Sequence, residues 1–344
     1  MAKLGDFCTK QSSNIRQSDL DSRDGSYPIY GASGFIKTVD FYEQTKPYIA
    51  VVKDGAGIGR VMKLPAYSSV IGTMQYIIPN DGVDVGYLAY AMEYMKLEKY
   101  YSGATIPHIY FKDYCKETMK EVSVEEQKQI VYALDLITSL ISLRKKQLQK
   151  LDDLVKSRFV ELFGDPAQNT MGLPVKTLPE ISDNLDSRRI PITSSDRKAG
   201  VFPYYGASGI VDYVENYIFD EDILLVSEDG ANLLARVTPI AFSVSGKVWV
   251  NNHAHVIRFT DKAMQIYVEH LLNMIDISSF VTGTAQPKLN QAKMNSIPIP
   301  MPMERSLQAF LEFVKQNEKT KLTVQQGLDK LELLKQSLMQ KYFG

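Results

Sequence analysis

The chain has little cysteine, tryptophan and histidine, and its charges nearly cancel. Its 344 residues include two Cys, one Trp and four His, with a formal net charge of −1. Cys8 and Cys115 are too few for a disulfide framework or a cysteine zinc site, which favours a reducing, cytoplasmic location. A near-neutral chain is not a strongly basic, indiscriminate nucleic-acid binder, so any such contact needs a local patch or charge supplied by a partner.

Long apolar runs and familiar catalytic patterns are also missing. No run approaches the roughly 18 residues of a membrane span, and the first residues lack the apolar segment of a signal peptide. We find no P-loop, no G-x-S-x-G motif and no Asn-Pro-Pro-aromatic tetrapeptide. His253 and His255 would share one face of a strand, but no nearby cysteine or repeated carboxylate completes a metal site. We therefore expect no catalytic residue and no bound metal.

The chain does contain a long internal repeat. Three segments recur in the same order: YPIYGASG at 27–34 as FPYYGASG at 202–209, KDGAGIGR at 53–60 as EDGANLLAR at 228–236, and YSGATIPHI at 101–109 as VTGTAQPKL at 281–289. The shift rises from 175 to 180 residues, so the second copy carries about five extra residues in its middle. A repeat of this length is a domain rather than a solenoid unit.

Each copy ends in a segment with the apolar spacing of a long helix. Residues 124–163 and 305–342 carry apolar side chains at alternating steps of four and three, which is coiled-coil patterning. One interpretation is that each segment is an amphipathic helix that packs against its own domain and not against the other helix. Their matched length and register favour pairing with each other, and a pseudo-twofold axis across the pair would make it antiparallel.

The segments between the helices predict an α+β fold, with short apolar runs separated by turns and one helical stretch in each copy. We therefore expect two similar globular domains, each followed by a long helix. The predicted division is residues 1–122 and 165–303 for the globular domains and 123–164 and 304–344 for the helices.

Two glycine-rich turns have more than one interpretation. Residues 53–60 resemble a dinucleotide-binding loop, but Arg60 stands where a last glycine is needed and Pro65 interrupts the expected helix. A tight turn at Asp-Gly-Ala is the better prediction. The Tyr-Gly-Ala-Ser-Gly turns could hold a phosphate oxygen through their amides and Ser33 or Ser208, or could be hairpin turns that need glycine.

Equivalent positions of the two copies differ in their polar side chains. Aligning 70–78 with 249–257 places Gly72–Gln75 opposite Asn251–Ala254, and 106–109 faces 286–289. Asn, Gln, Lys and Arg are the side chains that pair with base edges. A shared backbone with different polar side chains is expected if the two domains recognise different DNA sequences. Random divergence of surface loops after the duplication would give a similar pattern.

This ordered, doubled series of motifs resembles the specificity subunit of type I restriction–modification systems over essentially the whole chain. Its motifs are Y-G-x-x-G at Tyr30–Gly34 and Tyr205–Gly209, D-G-A at Asp54–Ala56 and Asp229–Ala231, W-V-x-x-H-A at Trp249–Ala254, G-T-A-Q-P-K-L at Gly283–Leu289 and F-G-D-P at 163–166. Residues 303–308, where the second helix opens, match the opening of the first helix only loosely, and the chain is compact for the family.

The resemblance implies a non-catalytic DNA-recognition subunit. Each target-recognition domain would read half of a split, asymmetric site in double-stranded DNA, and the antiparallel helix pair would fix the distance between the halves. Two modification subunits would use S-adenosylmethionine to methylate adenine, and motor-nuclease restriction subunits would cleave unmethylated DNA. S-adenosylmethionine, ATP and Mg are expected on these partners and no cofactor on this chain.

The residue types and the resemblance together select candidate DNA contacts. The candidates for reading bases are Thr73, Gln75, His108 and Lys112 in the first copy and Asn251, Asn252, His253, Lys288 and Asn290 in the second. The candidates for phosphate contact are Lys37, Lys53, Arg60, Arg188, Arg189, Arg197, Lys198 and Arg236. The other classes left open are a coiled-coil protein-binding scaffold that reads no DNA and a nucleotide-dependent enzyme that uses residues 53–60.

Overall fold

A computed structural model describes residues 1–103, 107–283 and 285–344. Ile106 and Thr284, which belong to two of the phrases compared above, lie outside the described residues. The chain divides into two compact units, Met1–Lys145 with Gln325–Gly344, and Lys146–Val324. None of the helices in the described ranges combines the length and apolar character needed to cross a membrane.

The first copy alternates short strands and helices up to one long helix. Its elements are β1 Ala2–Lys3, α1 Leu4–Phe7, β2 Cys8–Ser12, β3 Tyr27–Gly31, β4 Gly34–Val39, β5 Tyr48–Val52, β6 Val61–Leu64, β7 Ser69–Val70, β8 Met74–Pro79, α2 Val85–Met95, α3 Phe111–Tyr114, β9 Thr118–Met119 and α4 Val124–Phe163. Short 3-10 turns lie at Gln17–Leu20 and Leu97–Tyr100.

The second copy repeats this order with two additional short elements. Its elements are β10 Val175–Lys176, α5 Leu178–Ile181, β11 Asp183–Asn184, β12 Ala199–Gly206, β13 Gly209–Val214, β14 Phe219–Asp220, β15 Ile223–Ser227, α6 Asn232–Ala235, β16 Ala241–Val244, β17 Lys247–Val250, β18 Ala254–Arg258, α7 Lys262–Met274, α8 Gln291–Asn295, β19 Ile299–Pro300 and α9 Glu304–Phe343. Its 3-10 turns lie at Asp186–Arg188 and Ser278–Phe280.

Strand pairing confirms the duplication. The first copy has the order β2-β8-β5-β6 in one sheet and β4-β3-β7 in another, and the second has β11-β18-β15-β16 and β13-β12-β17-β14. In both copies the second of these sheets contains one parallel pair, β3 with β7 and β12 with β17. The predicted α+β architecture is therefore observed twice.

Strand β5 of the β2-β8-β5-β6 sheet and its counterpart β15 are buried on both faces. All five residues of β5, Tyr-Ile-Ala-Val-Val, are buried. Ile49 and Val51 pack against α2, while Tyr48, Ala50 and Val52 belong to a separate cluster on the other face. A continuous β-branched and aromatic run suits a strand covered on both sides. Helix α2 begins where the Asp84 carboxylate accepts hydrogen bonds from the amides of Gly86 and Tyr87.

Both long helices are observed close to their predicted bounds, and they pair antiparallel within each unit. In the first unit Lys145 lies 2.8 Å from Glu332, and Ile130 and Leu134 share a core with Met339 and Phe343. The start of α4 therefore packs beside the end of α9.

The second unit has the complementary pairing. Lys321 lies 2.8 Å from Asp152, and Phe159 contacts Phe310 with ring centroids 5.4 Å apart. Each globular copy thus completes its core with the beginning of its own following helix and the end of the other. The four-part division at residues 122, 164 and 303 stays a prediction, since each compact unit contains part of both long helices.

The observed register corrects the alignment of the third segment by one residue. Tyr30 pairs with Val70 and Tyr205 with Val250, and Val51 pairs with Gln75 as Val226 does with His255. Residues 70–78 therefore correspond to 250–258 rather than to 249–257. Because side chains alternate faces along a strand, a slip of one residue exchanges buried and exposed positions.

The same ladders locate the extra residues of the second copy. The amide of Val52 donates to the carbonyl of Arg60, and the amide of Ser227 donates to that of Ile240. Ile240, not Arg236, is therefore the counterpart of Arg60. The five additional residues lie between Gly230 and Ile240, in the segment that contains α6.

Candidate nucleic-acid interface

Four loops meet at one end of each globular copy, and we call this region the loop edge. In the first copy it consists of residues 31–34, 54–56, 71–73 and 107–110, and in the second of 206–209, 229–231, 251–253 and 287–290. The loops are the tip of the Tyr-Gly-Ala-Ser-Gly hairpin, the Asp-Gly-Ala turn, the turn before β8 or β18, and the loop before α3 or α8.

The same backbone hydrogen bonds join these loops in both copies. The amide of Gly55 donates to the carbonyl of Pro107, and the amide of Ile109 donates to that of Lys53. The equivalent bonds run from Gly230 to Pro287 and from Leu289 to Glu228.

Two further bonds in each copy tie the turn before β8 or β18 to its neighbours. Thr73 accepts from the amide of Lys53, and His253 accepts from that of Glu228. The amides of Ile71 and Asn251 donate to Tyr30 and Tyr205, one residue before the hairpin tip. Backbone hydrogen bonds therefore hold these loops, which are distant in sequence, in fixed positions next to one another.

Glycine makes the Asp-Gly-Ala turn possible. Gly55 and Gly230 have φ of 80° and 106°, a backbone conformation that side-chain-bearing residues rarely adopt. The turn ends β5 or β15 and aims an aspartate at the loop edge in each copy. The tight-turn prediction is confirmed, and the described residues 61–64 after Arg60 form strand β6 rather than the helix of a dinucleotide fold.

The loop edge of the first copy presents one histidine held by the turn. His108 Nδ1 hydrogen-bonds to the Asp54 carboxylate, and the His108 ring lies 4.2 Å from that of Tyr110, which is 47% exposed. Lys53 Nζ lies 3.9 Å from the same carboxylate. Arg60 reaches across to the hairpin, where its Nη1 donates to the Ala32 carbonyl at 2.7 Å. Polar, basic and aromatic groups thus meet on one accessible surface.

The second copy places different side chains on the same backbone. His253 Nδ1 lies 2.8 Å from the Asp229 carboxylate, and Lys288 Nζ lies 3.1 Å from Glu228. With the register corrected, Thr73 corresponds to His253, His108 to Lys288, and Lys53 to Glu228. The scaffolds match, and the donors and acceptors that they display differ.

Several sequence-predicted candidates lie on the loop edge or directly beside it and have exposed or partly exposed side chains. They are Lys53, Arg60, Thr73 and His108 in the first copy and Asn252, His253 and Lys288 in the second. Lys112 and Asn290 adjoin it: Lys112 is exposed and packs over Tyr110, and Asn290 caps α8 by accepting from the Lys293 amide.

Two predicted base readers are inside the protein. Gln75 is 2% exposed, and its Nε2 donates to the Tyr114 hydroxyl at 2.6 Å. Asn251 is 6% exposed, and its side-chain oxygen accepts from the His253 amide. Both stabilise the scaffold and present no surface to DNA in this structure. The misaligned register had placed Gln75 among the turn residues, whereas it belongs to the paired strand β8.

The other predicted cations are engaged elsewhere. Lys37 pairs with Asp24, Arg188 with Glu221, Arg197 with Asp212 and Lys198 with Glu215. Arg236 donates to the Leu272 and Ile275 carbonyls at the end of α7. Only the exposed Lys198 side chain, at 75%, keeps most of its surface accessible.

A buried ion network that the sequence did not predict lies under the second loop edge. Asp186, Glu228 and His255 converge within 4.8 Å, and Arg189 pairs with both carboxylates, at 2.7 Å from Glu228 and 3.4 Å from Asp186. Burial alone would raise the pKa of Glu228, but hydrogen bonds from Arg189 and Lys288 lower it. Arg189 thus shares one positive charge between the two carboxylates, and Lys288 Nζ adds a second cation 3.1 Å from Glu228.

The comparisons with known proteins identify the family. The model for the type I restriction modification DNA specificity domain matches residues 1–153 and 173–333. The chain belongs to this family. The two matched ranges correspond to the two copies of the repeat and include most of both long helices.

Relatives of the specificity-domain family agree with this assignment. A putative type I restriction enzyme specificity subunit of Haemophilus influenzae is 39% identical over 127 residues, which cover 37% of this chain and 32% of that protein. The specificity subunit of the type I restriction enzyme EcoprrI of Escherichia coli is 25% identical over 203 residues, covering 54% and 47%. The chain thus aligns with about a third to a half of the length of these relatives.

Solved structures show the same fold. The type I restriction–modification S subunit from M. genitalium superposes with a TM-score of 0.68 at 15% identity, over 100% of this chain and 95% of that one. A second chain, from a structure describing complex assembly and conformational transition of the type I R-M system, has a TM-score of 0.55 at 13% identity, covering 99% and 96%.

Proposed function

We propose that this chain is the DNA specificity subunit of a type I restriction–modification complex and that each loop edge reads one half of a split, asymmetric DNA site. The observation that carries the proposal is the doubled loop edge, one backbone scaffold with different polar side chains at equivalent positions. A single binding function would favour the same side chains in both copies. Two different half-sites require different donors and acceptors.

The chemistry of the first loop edge suits recognition of DNA. Arg60 and Lys53 supply positive charge for phosphates, Thr73 and His108 supply hydrogen-bonding groups for base edges, and Tyr110 offers an exposed ring. In the second copy, His253 and Lys288 stand at the positions of Thr73 and His108, Asn252 stands at that of Gly72, and Glu228 and Ile240 replace the two cations. The limited positive charge fits a subunit that relies on partners for much of the phosphate neutralisation.

Partner binding is supported by an apolar stripe on α4. Tyr132, Leu136, Leu140 and Leu143 are 73%, 50%, 39% and 60% exposed at helical spacings of four, four and three. An exposed row of this kind suits an apolar helix of another protein. Aligned by the repeat, α9 has polar residues there, Glu312, Gln316, Thr320 and Thr323, so two partner copies would not meet identical surfaces.

In this proposal the partners are two methyltransferase subunits and the restriction subunits, and the chain itself performs no catalysis. S-adenosylmethionine, ATP and Mg belong to the partners. The described residues provide binding and positioning groups, and the chemistry on DNA is done by the subunits that they recruit.

Methylation-site sequencing with a purified modification subunit tests the reading surface. His108→Ala should relax one base position in one half-site, and Lys288→Ala should relax one in the other, each by about 1–3 kcal/mol. Lys262→Ala is the matched control for Lys288, because Lys262 starts α7 at the opposite end of β18. If both loop-edge variants keep the parent methylation pattern, the reading surface is wrongly assigned.

Complex formation tests the docking stripe independently. Leu136→Glu should abolish co-elution with the modification subunit, while Gln316→Glu, at the equivalent position of α9, should not. Retention of the complex by Leu136→Glu would exclude the stripe as a docking face and would leave the DNA-reading proposal intact.

A further inference from the structure

His255 occupies a position where both of its ring nitrogens face hydrogen-bond acceptors. Nδ1 lies 2.6 Å from the Asp186 carboxylate and Nε2 lies 2.8 Å from the Leu289 carbonyl. A carbonyl oxygen can only accept, so Nε2 carries a proton. A carboxylate likewise accepts, so Nδ1 carries a proton as well. A neutral imidazole has one N–H, and satisfying both contacts requires the imidazolium.

The surroundings favour that positive charge. His255 is 1% exposed. The groups facing it are Asp186 from the 3-10 turn, Glu228 from the end of β15 at 3.7 Å, and Arg189, which pairs with both carboxylates. Burial alone would raise the pKa of Asp186, but the bond to His255, the Val256 amide and Arg189 lower it, so the carboxylate is ionised.

The imidazolium connects the parts of the second loop edge that display side chains. Its Nε2 holds the carbonyl of Leu289, which lies between Lys288 and Asn290. Its carboxylate neighbour Glu228 accepts from Lys288 Nζ and, through its backbone, from the amide of Leu289. Loss of the His255 charge would leave Asp186 and Glu228 with less compensation and would release the loop that carries Lys288.

The first copy lacks this device. By strand register, Gln75 corresponds to His255 and Ser12 to Asp186, because Ser12 pairs with Gln75 and Asn184 pairs with Ile257. Gln75 donates to the Tyr114 hydroxyl, so the equivalent space contains a neutral amide and a phenol. Neutral side chains, Gln75 and Tyr114, therefore lie beneath the first loop edge, whereas an ionic network lies beneath the second.

We propose that His255 is a positioning residue, held as a buried imidazolium, that fixes the reading loop around Lys288 in the second target-recognition domain only. The role rests on the proposed function, since it concerns which half of the DNA site is read accurately. His255 itself touches no DNA in this proposal. Its removal should loosen discrimination at one half-site and leave the other unchanged.

The protonation state can be measured without DNA. In the full chain labelled with ¹⁵N-histidine, His255→Gln identifies the His255 signals by their disappearance. We expect two protonated ring nitrogens for His255 at neutral pH. His270 serves as the internal control, because burial, with Lys321 nearby, lowers its pKa to about 4 and keeps its ring neutral. A His255 spectrum with one unprotonated ring nitrogen would overturn the inference.

The positioning role is measured by methylation-site sequencing with the modification subunit. His255→Gln installs the residue of the first copy and should reduce discrimination at the second half-site about tenfold, the effect of losing a charged hydrogen bond. Discrimination at the first half-site should change less than twofold. If His255→Gln discriminates at the second half-site as well as the parent does, or loses discrimination equally at both half-sites, the role is overturned.

A second variant addresses misfolding of His255→Gln. Asp186→Asn keeps His255 but removes its carboxylate acceptor, and should convert its ring to one protonated nitrogen and relax the same half-site. An imidazolium spectrum with normal discrimination in Asp186→Asn would also overturn the proposal. If the parent protein methylates DNA with no sequence preference, the proposed function is wrong. The spectrum of His255 still tests separately whether its ring is an imidazolium.

Discussion

Replacing Phe159 by alanine is the sharpest test of how the long helices complete the domain cores. Phe159 lies near the end of α4 and is 1% exposed. Its ring stacks on Tyr267, with centroids 5.3 Å apart and planes 8° from parallel, and makes edge contacts with Phe163 and Phe310. The residue therefore joins both helices to the α7 layer of the second unit.

The expected loss follows from this packing. Truncating a fully buried phenylalanine costs about 3–5 kcal/mol, because apolar surface is lost and the cavity collapses only partly. For a unit of this size each kcal/mol lowers the melting temperature by about 2–4 °C, so the second unit should melt about 6–20 °C earlier. The loss should fall on that unit, since Phe159 packs inside it.

Differential scanning calorimetry of the full chain measures this shift. Leu154→Ala is the matched control, because Leu154 is on the same helix and is 49% exposed, so its truncation should cost less than about 1 kcal/mol. Met339→Ala, in the first unit, should shift the other transition. If Phe159→Ala and Leu154→Ala unfold at the same temperature, α4 does not supply the core of the second unit.

Three further predictions concern stability and spacing. Asn317→Leu should raise the free energy of unfolding by about 1–3 kcal/mol, and with it the melting temperature, because the amide nitrogen of Asn317 is buried without a partner. An unchanged or lower melting temperature would contradict this. His270 has its folded pKa lowered to about 4, so stability should be lost as pH falls from about 6.5 to 4, by at most about 3 kcal/mol, and a His270→Gln variant with the parent's acid sensitivity would count against it. Inserting four residues into each of α4 and α9 adds ~6 Å of helix, so the preferred spacer should lengthen by about one to two base pairs. The insertion disturbs the seam by a stutter, so melting must be checked first, and a stable variant with the original spacer would show that the helices do not set it.

The long elements could be predicted from sequence because their signals are periodic and repeated. The four-three apolar spacing gives α4 and α9 to within a residue at most ends, and the buried runs around Tyr48 and Ile223 give the central strands. The repeat itself predicts two domains of one topology. These features depend on local hydrophobic pattern, which survives duplication.

The candidate site was predicted less well, because it depends on register and distant contacts. The alignment of 70–78 slipped by one residue since the apolar run of the strand matches in either register, and only the backbone ladder distinguishes Gln75 as the counterpart of His255. Arg236 matched Arg60 by type, yet it directly follows α6 in the inserted segment, and Ile240 is the counterpart of Arg60. The ionic network could not be foreseen, because Asp186 and His255 are 69 residues apart.

The most direct measurement exchanges residues 1–122 for the first domain of another member of the family and sequences the methylated sites of the chimera with its modification subunit. Each copy contains its own complete loop edge, so the account predicts that one half of the target changes, while the other half keeps its sequence. A chimera in which both halves change, or neither does, would contradict the claim that each domain reads its own half-site.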